Sequence, residues 1–235
     1  MPINRLSSWK AHIRSMENQW DEIAVRQTMA LLADWRTTMA DMRHQHDRLV
    51  SEGLWVTGPS DFLDIIGLSR DENTHSRMLE WLLTPTARHG LGCGLARRLL
   101  ERCTGASASA PVAVRKAVFS YWRNGREADL VVWGQNFTLI IENKVDAAEQ
   151  PAQCDDLYEN FKNEIAPLFV YLTPEGSPPY TATTPEAQWA FTALSWPEVR
   201  AMLEAALNES GPATALADAA DVVRNYLRTL KEQFG

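Results

Sequence analysis

The sequence predicts an α/β fold: a mixed sheet flanked by helices, preceded by a helical extension. Three observations predict it. Two short apolar runs, 130–133 and 137–141, flank the turn signal Gly134-Gln135-Asn136 and read as a β-hairpin. A third run, 168–172, has the length of a buried strand and follows a helical stretch. Near the N-terminus, Trp9, Ile13, Met16, Trp20 and Ile23 recur at three- and four-residue steps, the period of a helix.

The elements follow in order. Residues 8–50 read as helical, with Leu31, Leu32, Trp35 and Met39 continuing the pattern and Gly53 and Gly58-Pro59 closing it. Residues 1–58 are therefore expected to form a helical extension, and 59–235 the main domain. Ser60 can cap a short helix through Ile66. A second helix follows Ser69 or Asp71 and stops near Pro85; Ser69 and Glu72 have the spacing of a capping box. A third spans about 92–103, before a small-residue linker at 105–110. Residues 112–121 read as a strand, then come the two hairpin strands. Pro151 suits the first turn of a helix reaching about 164. After the strand at 168–172, residues 173–188 are a Pro/Thr-rich loop and 189–196 another strand. Ser195 and Glu198 form a second capping box that opens a helix to about 207. A final amphipathic helix, about 214–233, aligns Leu216, Val223, Leu227 and Leu230. The core order is α-β-β-β-α-β.

Composition narrows the class. Apolar residues make up 45% of the chain, enough for a sizeable core. No apolar run approaches the roughly 18–20 residues of a membrane span, and no signal-peptide core opens the sequence. Cys93, Cys103 and Cys154 lack metal-ligand spacing, and a reducing cytoplasm is expected. There is no G-x-x-x-x-G-K-[ST] loop, G-x-S-x-G elbow or H-E-x-x-H helix. The net charge of -7 is unevenly spread: residues 70–126 hold ten basic and four acidic side chains, residues 127–235 six basic and seventeen acidic. That asymmetry suits a phosphate-facing surface, with Arg97 and Arg98 among its candidates; chance scatter over a solvated surface is the competing reading.

The hairpin carries charges where burial should forbid them. With the turn centred between Gln135 and Asn136, Asp129 lies opposite Glu142. Alternation places Asp129, Val131, Trp133, Thr138, Ile140, Glu142 and Lys144 on one face, and Leu130, Val132, Leu139, Ile141 and Asn143 on the other. Directly opposed carboxylates have Cβ atoms about 4.5–5.5 Å apart and repel. Lys144 alone cannot neutralise both, whereas a divalent cation can.

This acidic pair followed by E-x-K resembles the PD-(D/E)xK nuclease superfamily. The resemblance extends to the stretches Asp61–Pro85 (which contains Glu72-Asn-Thr-His75-Ser-Arg77), His89–Gly92, Ile141–Gln150, Val170–Gly176 and Leu194–Trp196, and covers roughly 60–200. It implies a restriction-endonuclease-like αβββαβ core and a bacterial, defence-linked nuclease acting most readily on DNA. It implies Mg²⁺ as cofactor, with Mn²⁺ as a substitute. Glu72, Asp129, Glu142 and Lys144 match the family's active-site positions, with Asp129, Glu142 and Glu72 as metal ligands. Ala128-Asp129 stands where the family has Pro-Asp. The related Gln-x-x-x-Tyr helix is met by Gln153, with Leu157 at the expected offset and the tyrosine displaced to Tyr158.

Other residues have two readings. Glu72 is a helix cap or a site residue. His75 and His89 contact substrate or are structural. Gln153 positions substrate or is plain surface polarity. The nine tryptophans serve packing, with Trp133 open to base stacking. The N-terminal helices are expected to mediate homo-oligomer or partner-protein contacts. The rival functional class is a non-catalytic nucleic-acid-binding or scaffold subunit that retains the fold.

Overall fold

The computed structural model describes residues 3–107, 111–209 and 217–235. The chain divides into two compact units, Met1–Gly58 and Pro59–Gly235. The first is one long helix, α1 (Ile3–Ser51), with a short turn after it. At about 1.5 Å per residue it spans roughly 70 Å. Its apolar residues have nothing within the unit to pack against, so Trp9, Ile13, Met16, Trp20 and Trp35 are all more than half exposed. Gly53 takes a left-handed conformation where the helix ends, and Trp55 folds back edge-on to His46.

The second unit opens with α2 (Phe62–Ile65), α3 (Glu72–Leu82) and α4 (Gly94–Thr104). It continues with β1 (Val114–Arg123), β2 (Arg126–Gly134), β3 (Thr138–Asn143), α5 (Gln153–Phe161) and β4 (Pro167–Thr173). It closes with α6 (Pro185–Ala190), β5 (Phe191–Ser195), α7 (Trp196–Glu209) and α8 (Ala217–Phe234). The five strands lie in chain order. The first three form an antiparallel meander, and β3, β4 and β5 run parallel. The sheet is mixed because a parallel partner must be reached by a crossover, supplied first by α5 and then by α6.

Both faces of the sheet are covered. Leu130, Val132, Leu139 and Ile141 join Leu79, Leu95, Leu99, Leu203 and Leu230 in the larger core. Val131, Ile140 and Phe169 meet Leu157 and Phe161 of α5 on the other face. Every residue of β3 is buried, as expected of a central strand with helices on both sides. Gly134 is required at the β2–β3 turn: a Cβ there would stand 2.0 Å from the Phe137 ring.

Several boundaries differ from the sequence expectation. Asp61 caps α2, accepting the Asp64 N–H at 3.0 Å, while Ser60 bonds to Glu232 instead. Asp71 caps α3 through the Thr74 N–H at 2.7 Å, so the Ser69–Glu72 capping box does not form. The box at the start of α7 does form: Ser195 N–H donates to Glu198 at 2.8 Å, and Glu198 N–H to Ser195 Oγ at 3.3 Å. The expected loop at 173–188 holds the one-turn α6, capped by Thr184 with Pro185 in its first turn. Pro151 precedes α5 rather than entering it, and Ala152 takes a left-handed conformation before the helix starts. Leu216, residues 108–110 of the linker and the start expected for the last helix lie outside the described residues.

Candidate active site

The β2–β3 ladder pairs Leu130 with Ile141, Val131 with Ile140, Val132 with Leu139 and Trp133 with Thr138. This is the register of a turn centred between Gln135 and Asn136. Continued one step, it brings Asp129 beside Glu142, and the two carboxyls interact. Asp129 Oδ2 also accepts the Asn143 N–H at 2.7 Å. Beyond β3, the Lys144 N–H reaches the Leu172 carbonyl at 2.8 Å. This keeps the backbone strand-like, so Lys144 projects to the same side as Glu142.

Glu142 is fully buried. Its Oε1 is 2.6 Å from Lys144 Nζ and accepts Gln153 Nε2 at 2.5 Å. Its Oε2 has no hydrogen-bond partner among the described residues. Burial pushes the Glu142 carboxyl well above the usual carboxylate range, and the neighbouring Asp129 raises it further. Burial also raises Asp129, against the pull of Lys144 and the Asn143 N–H. Burial works against the charge of Lys144, but Glu142, Asp129 and Glu72 outweigh it and raise its pKa. Two carboxylates this close in dry surroundings cannot both ionise cheaply.

A divalent cation fits this donor set. Two carboxylates suffice for an ion that keeps most of its waters, and the unpaired Glu142 oxygen is a lone pair awaiting a positive partner. Glu72, expected to complete or support the site, holds a loop with one of its carboxylate oxygens. Its Oε1 accepts the N–H groups of Val145, Asp146 and Ala147 at 2.8, 3.2 and 3.0 Å. Among the described residues, no group of three His, Cys, Asp or Glu side chains is spaced to hold an ion. Glu72 lines the same cleft, about 210 Å³ in volume, with Asp129, Lys144, Gln153, Trp122 and Arg126. Its visible work is to fix the loop after Lys144. Asn143 stitches the same parts together, donating to the Glu72 carbonyl and to Ser76 Oγ, both at 3.2 Å.

Gln153 reaches the site through its partners. It opens α5, holds Glu142 with its amide nitrogen and accepts the Gln150 N–H at 2.9 Å. Tyr158 does not join it: its ring packs on Phe169, with Lys162 over it.

The structure gives four expected substrate contacts other partners. His75 is fully buried, with Nδ1 2.9 Å from the Tyr226 hydroxyl and Nε2 2.8 Å from the Ser69 carbonyl. It is structural because it is enclosed by the rings of Trp196, Tyr226 and Phe234. His89 is likewise tied to the Thr84 carbonyl and the Leu91 N–H. Arg97 and Arg98 sit on α4, which packs with α7 in the larger core, and both pair with Glu209 of α7. They are not presented to the cleft. Trp133 is packed edge-on against Tyr121 with Lys116 over its face, so it is core rather than a stacking platform.

The charge asymmetry has an internal explanation. Arg70, Arg97, Arg98, Arg102, Arg123 and Arg126 pair with Asp146, Glu209, Glu209, Glu198, Glu164 and Asp156. Each pair joins the basic segment to the acidic one. Six of the ten basic residues of the first segment are thus paired with acids of the second.

Sequence reasoning missed two features. Trp122 and Arg126, at the end of the β1–β2 hairpin, line the cleft. Their only sequence signal was an aromatic followed by Asn124-Gly125. Glu149 is buried and accepts N–H groups from Tyr180 and Thr181 at 2.8 and 2.9 Å. It thereby anchors the Pro/Thr-rich loop beside Lys144, a role set by partners about thirty residues away; the sequence showed Glu149 only as part of the stretch that carries the resemblance.

A family model described as the PD-(D/E)XK nuclease superfamily matches residues 60–228. That span includes Glu72, Asp129, Glu142, Lys144 and Gln153, and leaves out α1. Comparison with curated proteins and with solved structures returns no match.

Proposed function

The chain belongs to the PD-(D/E)XK nuclease superfamily, and from that premise we propose that it is an active, metal-dependent nuclease. Its substrate would be DNA and its cofactor Mg²⁺, with Mn²⁺ as a substitute. We propose further that it serves bacterial restriction or defence and works in the cytoplasm. The observation that carries the reading is Glu142: fully buried, held on one oxygen by Lys144 and Gln153, unpaired on the other, and beside the half-buried Asp129.

Asp129 and Glu142 would hold the ion, which as a Lewis acid offsets the negative charge building on the phosphate. Hydrolysis joins a water oxygen to phosphorus, breaks one P–O ester bond and delivers the water's proton, through solvent, to the leaving oxygen. Lys144, 2.6 Å from Glu142 Oε1, would act as a positive donor to a phosphoryl oxygen or to the attacking water. Such pre-placed charge is effective because it needs no rearrangement during the reaction. Gln153 is a positioning residue that keeps Glu142 from rotating. Glu72 is another, gathering the N–H groups that follow Lys144 so that the lysine keeps its direction.

The test is incubation of wild type and Lys144→Ala with labelled single- and double-stranded DNA and RNA, in Mg²⁺, Mn²⁺ or EDTA. Metal-dependent cleavage of DNA by wild type alone is expected. Absence of cleavage in either metal would contradict the reading and favour a nucleic-acid-binding or scaffold subunit that keeps the fold. Cleavage confined to RNA would correct the substrate.

A further inference from the structure

The β1–β2 hairpin ends in a two-residue loop. Arg123 pairs with Arg126, and Asn124 and Gly125 between them both have positive φ, 49° and 79°. Positive φ at both loop positions gives a turn whose twist matches its strands, hence a rigid tip. The tip is also bolted to α5. Arg126 donates to Asp156, to Gln150 Oε1 at 2.9 Å and to the Pro151 carbonyl at 2.9 Å. Arg123 donates to the Asn160 carbonyl at 3.1 Å and pairs with Glu164, and Asn124 donates to Asn160 Oδ1 at 3.0 Å.

Trp122 is treated differently by the fold. It pairs with Glu127, two residues before Asp129 on β2. It lines the cleft with Asp129 and Lys144, yet it is 63% exposed. Among the described residues, no other ring or cation packs on its indole. A rigid support, an open aromatic face and a position beside the acids are what a base-stacking residue needs.

We infer that Trp122 stacks on a nucleobase next to the scissile phosphate, so the enzyme prefers a strand whose bases are free of pairing at the cut. The inference rests on the nuclease reading above. Stacking recognises a π-face rather than an edge, so it confers structure preference with little sequence preference.

The experiment compares wild type, Trp122→Ala and Trp122→Phe on single-stranded and duplex DNA of one sequence. A companion set of single strands carries one abasic position, moved in turn across the cut. The indole is exposed, so both variants should melt with wild type. Trp122→Ala is expected to weaken single-strand binding on the order of ten-fold, with the loss falling mainly on KM, and Trp122→Phe to restore most of it. One abasic position should impair wild type by a similar factor and Trp122→Ala hardly at all, because the base would have lost its partner already. Wild-type cleavage with Trp122→Ala indistinguishable on every substrate overturns the stacking role and leaves the nuclease reading standing. Equal abasic penalties in wild type and Trp122→Ala overturn it too. No cleavage by wild type overturns the nuclease reading, and this inference with it.

Discussion

Two polar clusters are buried against opposite faces of one sheet, and they are finished to different degrees. Around His75 both ring nitrogens have partners, three aromatic rings enclose the imidazole, and burial lowers its pKa so that it stays neutral. The unpaired atom near it is the neutral Trp196 N–H. Around Glu142 an acid is buried beside a second acid, and one of its oxygens has no donor. A closed network of neutral groups stabilises a fold. An open one built from charges costs stability and persists where a ligand completes it. Burial of a polar residue alone does not mark function. An unpaired buried oxygen alone does not either, since Asp61 has one too; Glu142 differs in having a second acid and a lysine beside it.

The largest effect expected of this contrast is on cleavage. Asp129→Ala, Glu142→Ala and Lys144→Ala should each lower metal-dependent cleavage on the order of a thousand-fold or more. The triple variant should be little worse than any single one, because residues acting as a unit are not additive. Near-wild-type cleavage by Lys144→Ala or Asp129→Ala would show that the open cluster is not the site.

The closed cluster should show the reverse profile. His75→Ala removes a buried ring and leaves the Tyr226 hydroxyl and Ser69 carbonyl short of partners. It should cost about 2–4 kcal/mol in urea unfolding. Below the unfolding transition it should leave cleavage close to wild type. A His75→Ala protein as stable as wild type but inactive would return His75 to the site.

The pH dependence of stability separates the clusters further. The folded Glu142 pKa lies above its unfolded value of about 4.3. Below that value both states are protonated and nothing is lost. As pH rises above it, the unfolded state ionises first, so stability falls until the folded pKa is passed. In EDTA, wild type should therefore lose stability with rising pH from about 4.3, and Glu142→Gln should flatten the curve. Parallel curves for the two proteins would mean that Glu142 does not carry the burial cost. The smallest effect is expected on α4. Arg97→Glu and Arg98→Glu should leave DNA affinity and its salt dependence unchanged, since both side chains answer Glu209 rather than phosphate. A flattened salt dependence would show that they do contact the backbone of DNA.

What the sequence made legible was local. The β2–β3 register follows from two alternating runs and a three-residue turn, and it brings Asp129 to Glu142 without tertiary information. Lys144 follows by parity. The standing of His75 and Arg97 depended on groups far along the chain: Tyr226 is 151 positions from His75, and Glu209 is 112 from Arg97. No periodicity reports such pairings. The basic segment looked like a phosphate surface for the same reason, because its acidic partners lie in another part of the sequence. Glu72 was legible in part. Its inward direction was legible, but the three N–H groups it gathers belong to a loop whose path the sequence does not specify. The one-turn α6 was too short to show a helical period within a Pro/Thr-rich stretch.

The central claim is that the open carboxylate pair awaits a divalent cation, and a metal titration followed by thermal melting tests it without any substrate. Mg²⁺ at about ten times its dissociation constant should stabilise wild type by RT ln 11, roughly 1.4 kcal/mol. Asp129→Asn keeps the shape and removes one charge. In EDTA it should match or slightly exceed wild type, and it should lose most of the Mg²⁺ increment. Equal melting shifts in wild type and Asp129→Asn would contradict the account, because the ion would then be held elsewhere or not at all.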